Sequence, residues 1–147
     1  MLTVAVGCGK RATAHAPSPV KPVPLGWTET GVASWYGAQY DGRKTSSGEV
    51  FDMRAMTAAH RTLPFNTWLE VTNLTNGKQV EVRVTDRGPF VDGRIIDLSM
   101  GAAERIEMVR AGVVKVKLKV IRAPKDAVAA KTSGSVAAGE HARGGPQ

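Results

Sequence analysis

Alternation of apolar and polar residues marks three segments in the middle of the chain. In segments 67–72 and 79–86, leucine or valine recurs at every second position, and this period of two predicts half-buried β-strands. Asn76-Gly77 lies between the two segments and favours a tight hairpin connection. A third alternating segment, 113–122, sets valine and leucine against lysine. The first two segments are therefore predicted to pair with each other.

The third alternating segment carries Lys115, Lys117 and Lys119 on the side opposite its apolar residues. Such a row of lysines can bind a polyanion. Lysine on the solvent face of a strand also protects a sheet edge from pairing with other chains. We favour edge protection, because no other feature of this segment points to a polyanion.

A short helix and closely spaced turns complete the pattern. Ser99 can cap a helix over residues 100–109, with Ala103 and Ile106 facing inward, and Gly112 can end the turn that follows. Many short strands with few helices favour a small barrel that closes its own edges. A parallel α/β domain would need more helical crossovers. The fold class is therefore predicted to be mainly β, a small barrel with one or two short helices.

Composition changes at both ends of the 147-residue chain, which is too short for two well-filled cores. Residues 1–30 include a proline-rich stretch, which favours an extended tether. Residues 123–147 are rich in Ala, Gly, Lys and Ser without an apolar period, which is typical of a disordered tail. One domain is predicted, over residues 31–122.

The formal charge is +7, from 20 Lys and Arg against 13 Asp and Glu. A basic chain suits nucleic acid, anionic lipid or an acidic wall polymer as partner. Nucleic acid is disfavoured, because the basic residues form no block and no reader motif accompanies them. A diffuse attraction to an acidic polymer remains.

The single cysteine, Cys8, excludes a disulfide framework within the chain and a thiolate zinc site. The preceding Ala5-Val6-Gly7 makes it similar to a lipobox, in which small residues precede a cysteine that receives lipid. The alternative is a stray cysteine near a flexible terminus. A complete secretory signal is absent, because no basic residue precedes the short apolar stretch. A true start further upstream would explain this.

Asp86 is a candidate catalytic carboxyl. It continues the alternation that ends at Val84, so its side chain is predicted to point toward the apolar interior or its mouth, where the strand ends. A buried carboxyl can keep its proton, which a general acid requires. A salt bridge to Arg87 or Arg94 is the competing interpretation, as is a cap on the Gly88-Pro89 turn. These alternatives stay open.

Other ionisable residues also lie beside apolar neighbours. Asp97 follows two isoleucines, and we favour a buried hydrogen-bond anchor over site chemistry there. His60 could orient a carboxylate or bind substrate, or be an ordinary satisfied polar residue. With Glu49 and Asp52 it forms a candidate acid cluster. No metal site is expected, because His60 and scattered carboxylates lack the close spacing of zinc ligands.

Three aromatic residues invite a sugar-stacking interpretation. Trp68 lies on the polar face of its predicted strand, which favours exposure. Trp35 and Tyr36 are neighbours and must point to opposite faces of a strand, so one of them is expected in the core.

Several long motifs, taken together, resemble the rare lipoprotein A family of bacterial cell-envelope proteins, which is related more distantly to the double-psi β-barrels of expansins and barwin-like proteins. The motifs are ASWYG at 33–37, GRKTSSGEVFDM at 42–53, MTAAHRTLPFNTWLEVTNLTNGK at 56–78 and VRVTDRGPFVDGRIIDLS at 82–99. The resemblance covers residues 31–121. It implies a six-stranded double-psi β-barrel with an open groove.

The resemblance also implies an activity that needs no cofactor. Active family members are lytic transglycosylases, which cleave the bond between N-acetylmuramic acid and N-acetylglucosamine in peptidoglycan and leave a 1,6-anhydro sugar, on glycan poor in stem peptides. The functional residues of the family fall on Glu49, Asp52, His60 and Asp86. Asp86 would act as acid and then as base, because the C6 hydroxyl of the substrate attacks intramolecularly. Asp52 and His60 would position the glycan or stabilise the cationic sugar, with Glu49 supporting them.

The remaining expectations combine this resemblance with the residue patterns described above. The predicted substrate-binding residues are Trp35, Tyr36, Trp68, Arg87 and Asp97. The expected partner is a peptidoglycan glycan strand, without nucleic acid, and the expected state is a monomer in the bacterial cell envelope, with Cys8 as a candidate lipid anchor. The alternatives are a non-catalytic peptidoglycan-binding or wall-loosening module and a tethered scaffold whose basic surface touches wall polymers.

Overall fold

Six β-strands close into a barrel in the computed structural model, which describes residues 23–124. The strands are β1 (Thr28–Tyr36), β2 (Thr57–His60), β3 (Trp68–Asn73), β4 (Gln79–Asp86), β5 (Arg94–Ser99) and β6 (Val114–Arg122), and the helix α1 (Met100–Arg105) lies between β5 and β6. The order around the barrel is β1-β5-β2-β4-β3-β6. The predicted mainly-β barrel with a short helix is confirmed.

Two of the six strand pairs are parallel, β1 with β5 and β2 with β4. The other four pairs are antiparallel. Strands that are distant in sequence therefore become neighbours, and β4, β2, β5 and β1 lie side by side in that order. This arrangement brings the polar ends of several motifs onto one wall of the barrel.

The barrel core is formed by the apolar positions that alternate along the strands. Its fully buried members include Leu69, Val71, Val82, Val84, Ile96, Leu98, Val116, Leu118 and Val120. Burying each such side chain contributes about 1.5–3 kcal/mol, so the alternation itself accounts for much of the stability. The predicted inward faces of β3, β4 and β6 are confirmed.

The predicted hairpin joins β3 to β4 through residues 74–78. Gly77 has φ +76°, a left-handed conformation that side-chain-bearing residues rarely adopt. The side-chain amides of Asn73 and Asn76 both donate hydrogen bonds to the carbonyl oxygen of Ile106, at 2.9 and 3.0 Å. The hairpin is therefore tied to the segment that follows α1.

Ser99 caps α1 as predicted, since its side chain accepts a hydrogen bond from the Ala102 amide. The helix ends at Arg105, however, and not at residue 109. Glu107 has φ +53°, which is incompatible with a continuing α-helix, and residues 106–112 form turns instead. Among the described residues, no helix has the length and apolar character needed to cross a membrane.

The lysines of β6 are exposed, but the predicted edge protection is wrong. Lys115, Lys117 and Lys119 face solvent, and β6 pairs with β1 on one side and with β3 on the other. The closed barrel leaves β6 no free edge to protect. The structure also begins β1 at Thr28, so the barrel includes residues that the sequence analysis assigned to the preceding segment.

Candidate active site

A row of four residues crosses one wall of the barrel. Ala59 on β2 is in register with Asp86 on β4 and with Asp97 on β5, and Asp97 is in register with Ser34 on β1. Residues in register on neighbouring strands place their side chains on the same face. The α-carbons of the two aspartates are about 10 Å apart, because one strand lies between theirs. The small side chain of Ala59, only 3% exposed, lies between the two aspartates.

Asp86 does not point into the barrel core, one of the two predicted orientations, because the strand register shifts just before it. Ala58 is paired with Val84, whereas Ala59 is paired with Asp86, so β4 contains one extra residue at this point. The extra residue, Thr85, is only 3% exposed, and Asp86 is half-buried. A bulge of this kind re-aims the following side chain. Asp86 therefore shares a face with Asp97.

Asp86 is held by three hydrogen-bond donors at one oxygen. Its Oδ1 accepts from the Ser46 amide at 2.9 Å, from the Ser46 hydroxyl at 2.6 Å and from the Arg87 amide at 2.8 Å. The predicted salt bridges to Arg87 and Arg94 are not formed among the described residues. Ser46 lies in the segment between β1 and β2, which therefore folds over the end of β4.

The Arg87 guanidinium contacts the protein instead of facing the carboxylates. It donates to the carbonyl oxygens of His60 and Leu63, at 3.1 and 2.8 Å, and lies 3.9 Å from the centre of the Phe65 ring. Burial lowers the pKa of Arg87, and the negative charge of Asp86 partly opposes this effect. The structure thus gives Arg87 a bracing contact where the sequence analysis predicted a substrate contact.

Asp97 has a different environment from Asp86. The buried Ser34 hydroxyl donates a hydrogen bond to its Oδ1. Its Oδ2 lies beside Gly88, 3.7 Å from the position that a β-carbon on that residue would occupy. One carboxylate oxygen is therefore anchored to β1, and the other faces the loop that leaves β4.

Tyr36 brings a hydroxyl close to both carboxylates. The hydroxyl is buried and has no hydrogen-bond partner among the described residues. Burial raises the pKa of Tyr36, and the negative charges of Asp86 and Asp97 raise it further. The ring stacks on Phe51, with 4.4 Å between ring centres. The hydroxyl therefore keeps its proton and can donate a hydrogen bond.

Trp35 faces away from Tyr36 and packs against the core. The prediction that the two neighbours point to opposite sides, with one of them in the core, is confirmed.

His60 is enclosed on the other face of β2. Its Nδ1 accepts from the amides of Thr62 and Leu63, at 3.2 and 3.1 Å, so Nε2 carries the hydrogen and donates to Glu29 Oε2 at 3.0 Å. Burial lowers the pKa of His60, and the contact with Glu29 opposes this only in part. The ring is therefore neutral and ties β1 to β2.

The predicted acid cluster of His60, Glu49 and Asp52 is wrong. Glu49 pairs with Arg83, with both carboxylate oxygens at 2.9–3.0 Å from Nη1. Asp52 accepts a hydrogen bond from the Arg54 amide at 2.9 Å and shapes its own turn. Glu49 and Asp52 lie in the segment that carries Ser46, whereas His60 is buried behind the row.

A family model described as lytic transglycolase, with a double-psi β-barrel label, matches residues 28–118. The chain belongs to this lytic transglycolase family. The match spans all of β1 to β5 and α1, together with the first part of β6. It includes every residue of the Asp86–Ala59–Asp97–Ser34 row.

Curated relatives and solved structures agree with the family assignment. The chain is 59% identical over 99 residues to the endolytic peptidoglycan transglycosylase RlpA of Campylobacter jejuni. This alignment covers 67% of this chain and 36% of that protein. It is 56% identical over 102 residues to the RlpA of Vibrio cholerae, covering 69% and 39%. The chain thus matches well under half the length of these relatives. The predicted membership of the rare lipoprotein A family is confirmed.

Two solved structures share the fold of this lytic transglycolase domain. The Streptomyces papain inhibitor aligns with a TM-score of 0.56 at 25% identity, over 68% of this chain and 99% of the inhibitor. An expansin of Clavibacter michiganensis aligns with a TM-score of 0.55 at 23% identity, over 67% and 52%. The barrel is therefore shared with proteins of other kinds, and the function must be argued from the site.

Trp68 lies apart from the carboxylates of the lytic transglycolase domain. It is in register with Arg83, three residues before Asp86 on β4, or about 10 Å along the strand. The Arg122 guanidinium lies 4.4 Å from the centre of its ring. The half-buried ring borders a shallow depression of about 540 Å³, lined also by Met56, Gln79, Val80, Glu81, Arg105 and Arg122. Any sugar that stacks on Trp68 would bind away from the two aspartates.

Two further expectations concern metals and the amino terminus. Within residues 23–124, no group of three His, Cys, Asp or Glu side chains is arranged to hold a metal ion. The candidate lipid-anchor residue Cys8 lies outside the described residues.

Ser34 and Ser46, the two serines that hold Asp97 and Asp86, were not among the predicted site residues. Both lie inside motifs that resemble the family, at positions 34 and 46. Their partners are 63 and 40 residues away. No local pattern connects such residues, and only the strand register reveals the contacts.

Proposed function

We propose that this domain is a lytic transglycosylase that cleaves peptidoglycan glycan strands between N-acetylmuramic acid and N-acetylglucosamine and forms a 1,6-anhydro sugar. The observation that carries the proposal is the pair of aspartates, Asp86 and Asp97, on one face of the barrel with the Tyr36 hydroxyl near both. Relatives at 56–59% identity are named for the same chemistry, which supports the proposal.

Asp97 is the better placed of the two aspartates to carry the catalytic proton. Its partner at Oδ1 is the Ser34 hydroxyl, which can donate or accept and can therefore follow a change of protonation. Oδ1 of Asp86 instead accepts three hydrogen bonds from amide and hydroxyl donors, an arrangement that suits a carboxylate acting as an acceptor. This assignment exchanges the roles that the sequence analysis gave to the two residues.

The reaction then follows in two proton transfers. Asp97 protonates the glycosidic oxygen, the bond from C1 to that oxygen breaks, and the N-acetylglucosamine unit leaves as an alcohol. The cationic muramic ring is stabilised by the carboxylate of Asp86, on the far side of Ala59 from Asp97. The C6 hydroxyl of the same ring attacks C1, and its proton passes to Asp97, which restores the acid. The internal hydroxyl acts at a high effective concentration, so no second carboxylate has to activate water.

Tyr36 fits this proposal as a neutral hydrogen-bond donor. A hydroxyl that keeps its proton near two carboxylates can donate a hydrogen bond in the site without adding a charge. We assign supporting functions to the other candidates. Glu49 holds the Ser46 segment against β4 through Arg83, Asp52 shapes that segment, and His60 fixes β2 behind the row.

The proposal also includes the location of the protein in the cell, its oligomeric state and its attachment to a membrane. We propose that the protein acts in the bacterial cell envelope, because relatives are named for an activity on peptidoglycan. The exposed lysines of β6 favour attraction to acidic wall polymers. A monomeric state and a lipid on Cys8 remain part of the proposal.

The deciding experiment uses peptidoglycan glycan strands freed of stem peptides. The full chain is incubated with them, and mass spectrometry is used to look for products that end in 1,6-anhydro-N-acetylmuramic acid. We expect Asp97→Asn to lower kcat by about 10²-fold or more, as loss of a general acid and base does, with glycan affinity retained. Binding by the wild-type chain without anhydro products would instead favour the non-catalytic alternative.

A further inference from the structure

Phe90 is an exposed aromatic residue beside the row of aspartates. It lies in the segment of residues 87–93 that joins β4 to β5, and its exposed fraction is 83%, the highest among the large apolar side chains described. A single exposed apolar residue is ordinary on a protein surface. Its backbone contacts and its position relative to Asp97 make this one different.

The backbone on both sides of Phe90 is held by one guanidinium. Arg61 Nε donates to the Pro89 carbonyl oxygen at 2.5 Å, and its Nη2 donates to the Val91 carbonyl oxygen at 2.7 Å. Arg61 directly follows β2, the strand that separates the two aspartates. The planar fork fixes two successive bends of the segment with one side chain. The Phe90 ring is therefore presented to solvent on a fixed loop, which lowers the ordering cost of binding.

Gly88 lies between the Phe90 ring and the Asp97 carboxylate. A β-carbon placed on Gly88 would be 3.7 Å from Asp97 Oδ2 and 3.7 Å from Phe90 Cε2. The carboxylate oxygen and the ring edge are thus within twice that distance of each other. One sugar unit is about this size. A sugar unit whose glycosidic oxygen lies at Asp97 would therefore reach the Phe90 ring.

A second exposed aromatic residue, Tyr40, lies toward the other end of the strands. Tyr36 follows Ser34 by two residues on β1, and Tyr40 meets the Tyr36 ring edge-on with 5.8 Å between ring centres. Residues 87–93 enter β5 at its opposite end, ahead of Asp97. The aspartates are therefore flanked by aromatic rings along the strand direction. A glycan lying along this direction would meet Tyr40 on one side and Phe90 on the other.

We propose that Phe90 is a stacking platform for the sugar unit next to the cleaved bond and that Arg61 is its positioning residue. The C–H face of a pyranose packs on the flat ring while its hydroxyls remain in water. The ring does not touch the breaking bond, so it contributes to binding and not to proton transfer. The inference rests on the proposed transglycosylase function for the identity of the sugar.

The test compares Phe90→Ala, Phe90→Leu and Phe90→Trp in the full chain, with Leu74→Ala as matched control. Leu74 is 47% exposed and lies in the β3–β4 hairpin, outside the row. We expect Phe90→Ala and Phe90→Leu to raise KM and the Kd for glycan strands about fivefold to tenfold, with kcat within about twofold, as loss of an aromatic contact predicts. Phe90→Trp and Leu74→Ala should match the wild type.

Arg61 is tested by Arg61→Ala and Arg61→Lys. Both variants lose the two-pronged contact, so both should raise KM in the same way with kcat unchanged, and hydrogen exchange of residues 88–93 should become faster. A variant that only destabilised the fold would contain less active protein. Its apparent kcat would then fall, and its KM would not rise. The exchange measurement therefore separates positioning from general damage.

The proposal on Phe90 is overturned if Phe90→Ala keeps wild-type KM and Kd, or if Phe90→Leu binds as well as Phe90→Trp. Failure of the proposed enzyme function has a different signature, because the wild-type chain would then form no anhydro product. The Kd comparison between wild type and Phe90→Ala needs no turnover and still decides whether the ring binds glycan.

Discussion

The Ser34 hydroxyl donates a hydrogen bond to Asp97 across the parallel strands β1 and β5. Because the hydroxyl is buried, water cannot replace it freely when it is removed. The contact therefore fixes the orientation of the carboxyl that we assign to proton transfer.

Ser34→Ala should lower kcat about tenfold to a hundredfold, since a hydrogen bond to a charged group contributes about 1.5–3 kcal/mol. Steady-state formation of anhydro products is the measurement. Ser47→Ala is the control, because the Ser47 hydroxyl contacts Thr45 and Glu49 and not the row. An unchanged kcat in Ser34→Ala would show that the hydrogen bond from Ser34 does not orient Asp97 for proton transfer.

Ser46→Ala should weaken the anchoring of Asp86 while keeping the amide donor of residue 46. One of the three donors at Oδ1 is lost, and we expect kcat to fall about tenfold. A double-mutant cycle with Asp86→Asn checks the contact. The two effects should be strongly non-additive if Ser46 acts through Asp86, whereas simple additivity would show that the serine acts elsewhere.

Gly88→Ala should damage both stability and binding. Gly88 has φ +131°, which a residue with a β-carbon rarely adopts, and the strain should cost about 1–3 kcal/mol of unfolding free energy. Gly93→Ala is the matched control, with φ +82° and nothing within 4 Å of the new methyl group. The Tm of thermal unfolding should fall in both variants, whereas KM should rise only in Gly88→Ala. Equal KM values would show that the groove does not pass over Gly88.

Stability should depend on pH through His60. Burial holds its pKa in the folded state below the ordinary value of 6.5, so the unfolded chain binds more protons as the pH falls below 6.5. The free energy of unfolding should therefore decrease from pH 7 toward the lowered pKa and be unaffected by this residue above that range. Urea unfolding of the wild type and of His60→Gln at pH 7.5 and 5.5 measures the difference. Equal losses in the two proteins would contradict the assignment.

The barrel was largely predictable because its strands alternate so regularly. The spacing of Leu69, Val71 and Val82 is enough to predict which face of their strands is buried. The position of Ser99 before a short amphipathic segment predicts where the helix begins. Both features depend on neighbours in sequence. The helix end at Arg105 was missed, because the left-handed backbone at Glu107 has no glycine to signal it.

The site was less predictable, because its geometry comes from contacts between distant segments. Asp86 continues the alternation of β4 perfectly in the sequence, and only the register with Ala59 shows that Thr85 is the extra residue. His60 appeared to belong with nearby acids, but its partner is Glu29, 31 residues earlier. Spacing along a chain cannot report either relationship.

The row from Asp86 to Ser34 takes one residue from each of four strands. The strands that pair within the row are distant from one another in sequence. β6 closes the barrel between β1 and β3 and is the last strand of the six to leave the ribosome. Contacts between such distant segments form late in folding. A chain interrupted before Val114 would therefore contain every residue of the row and lack the closure that aligns them.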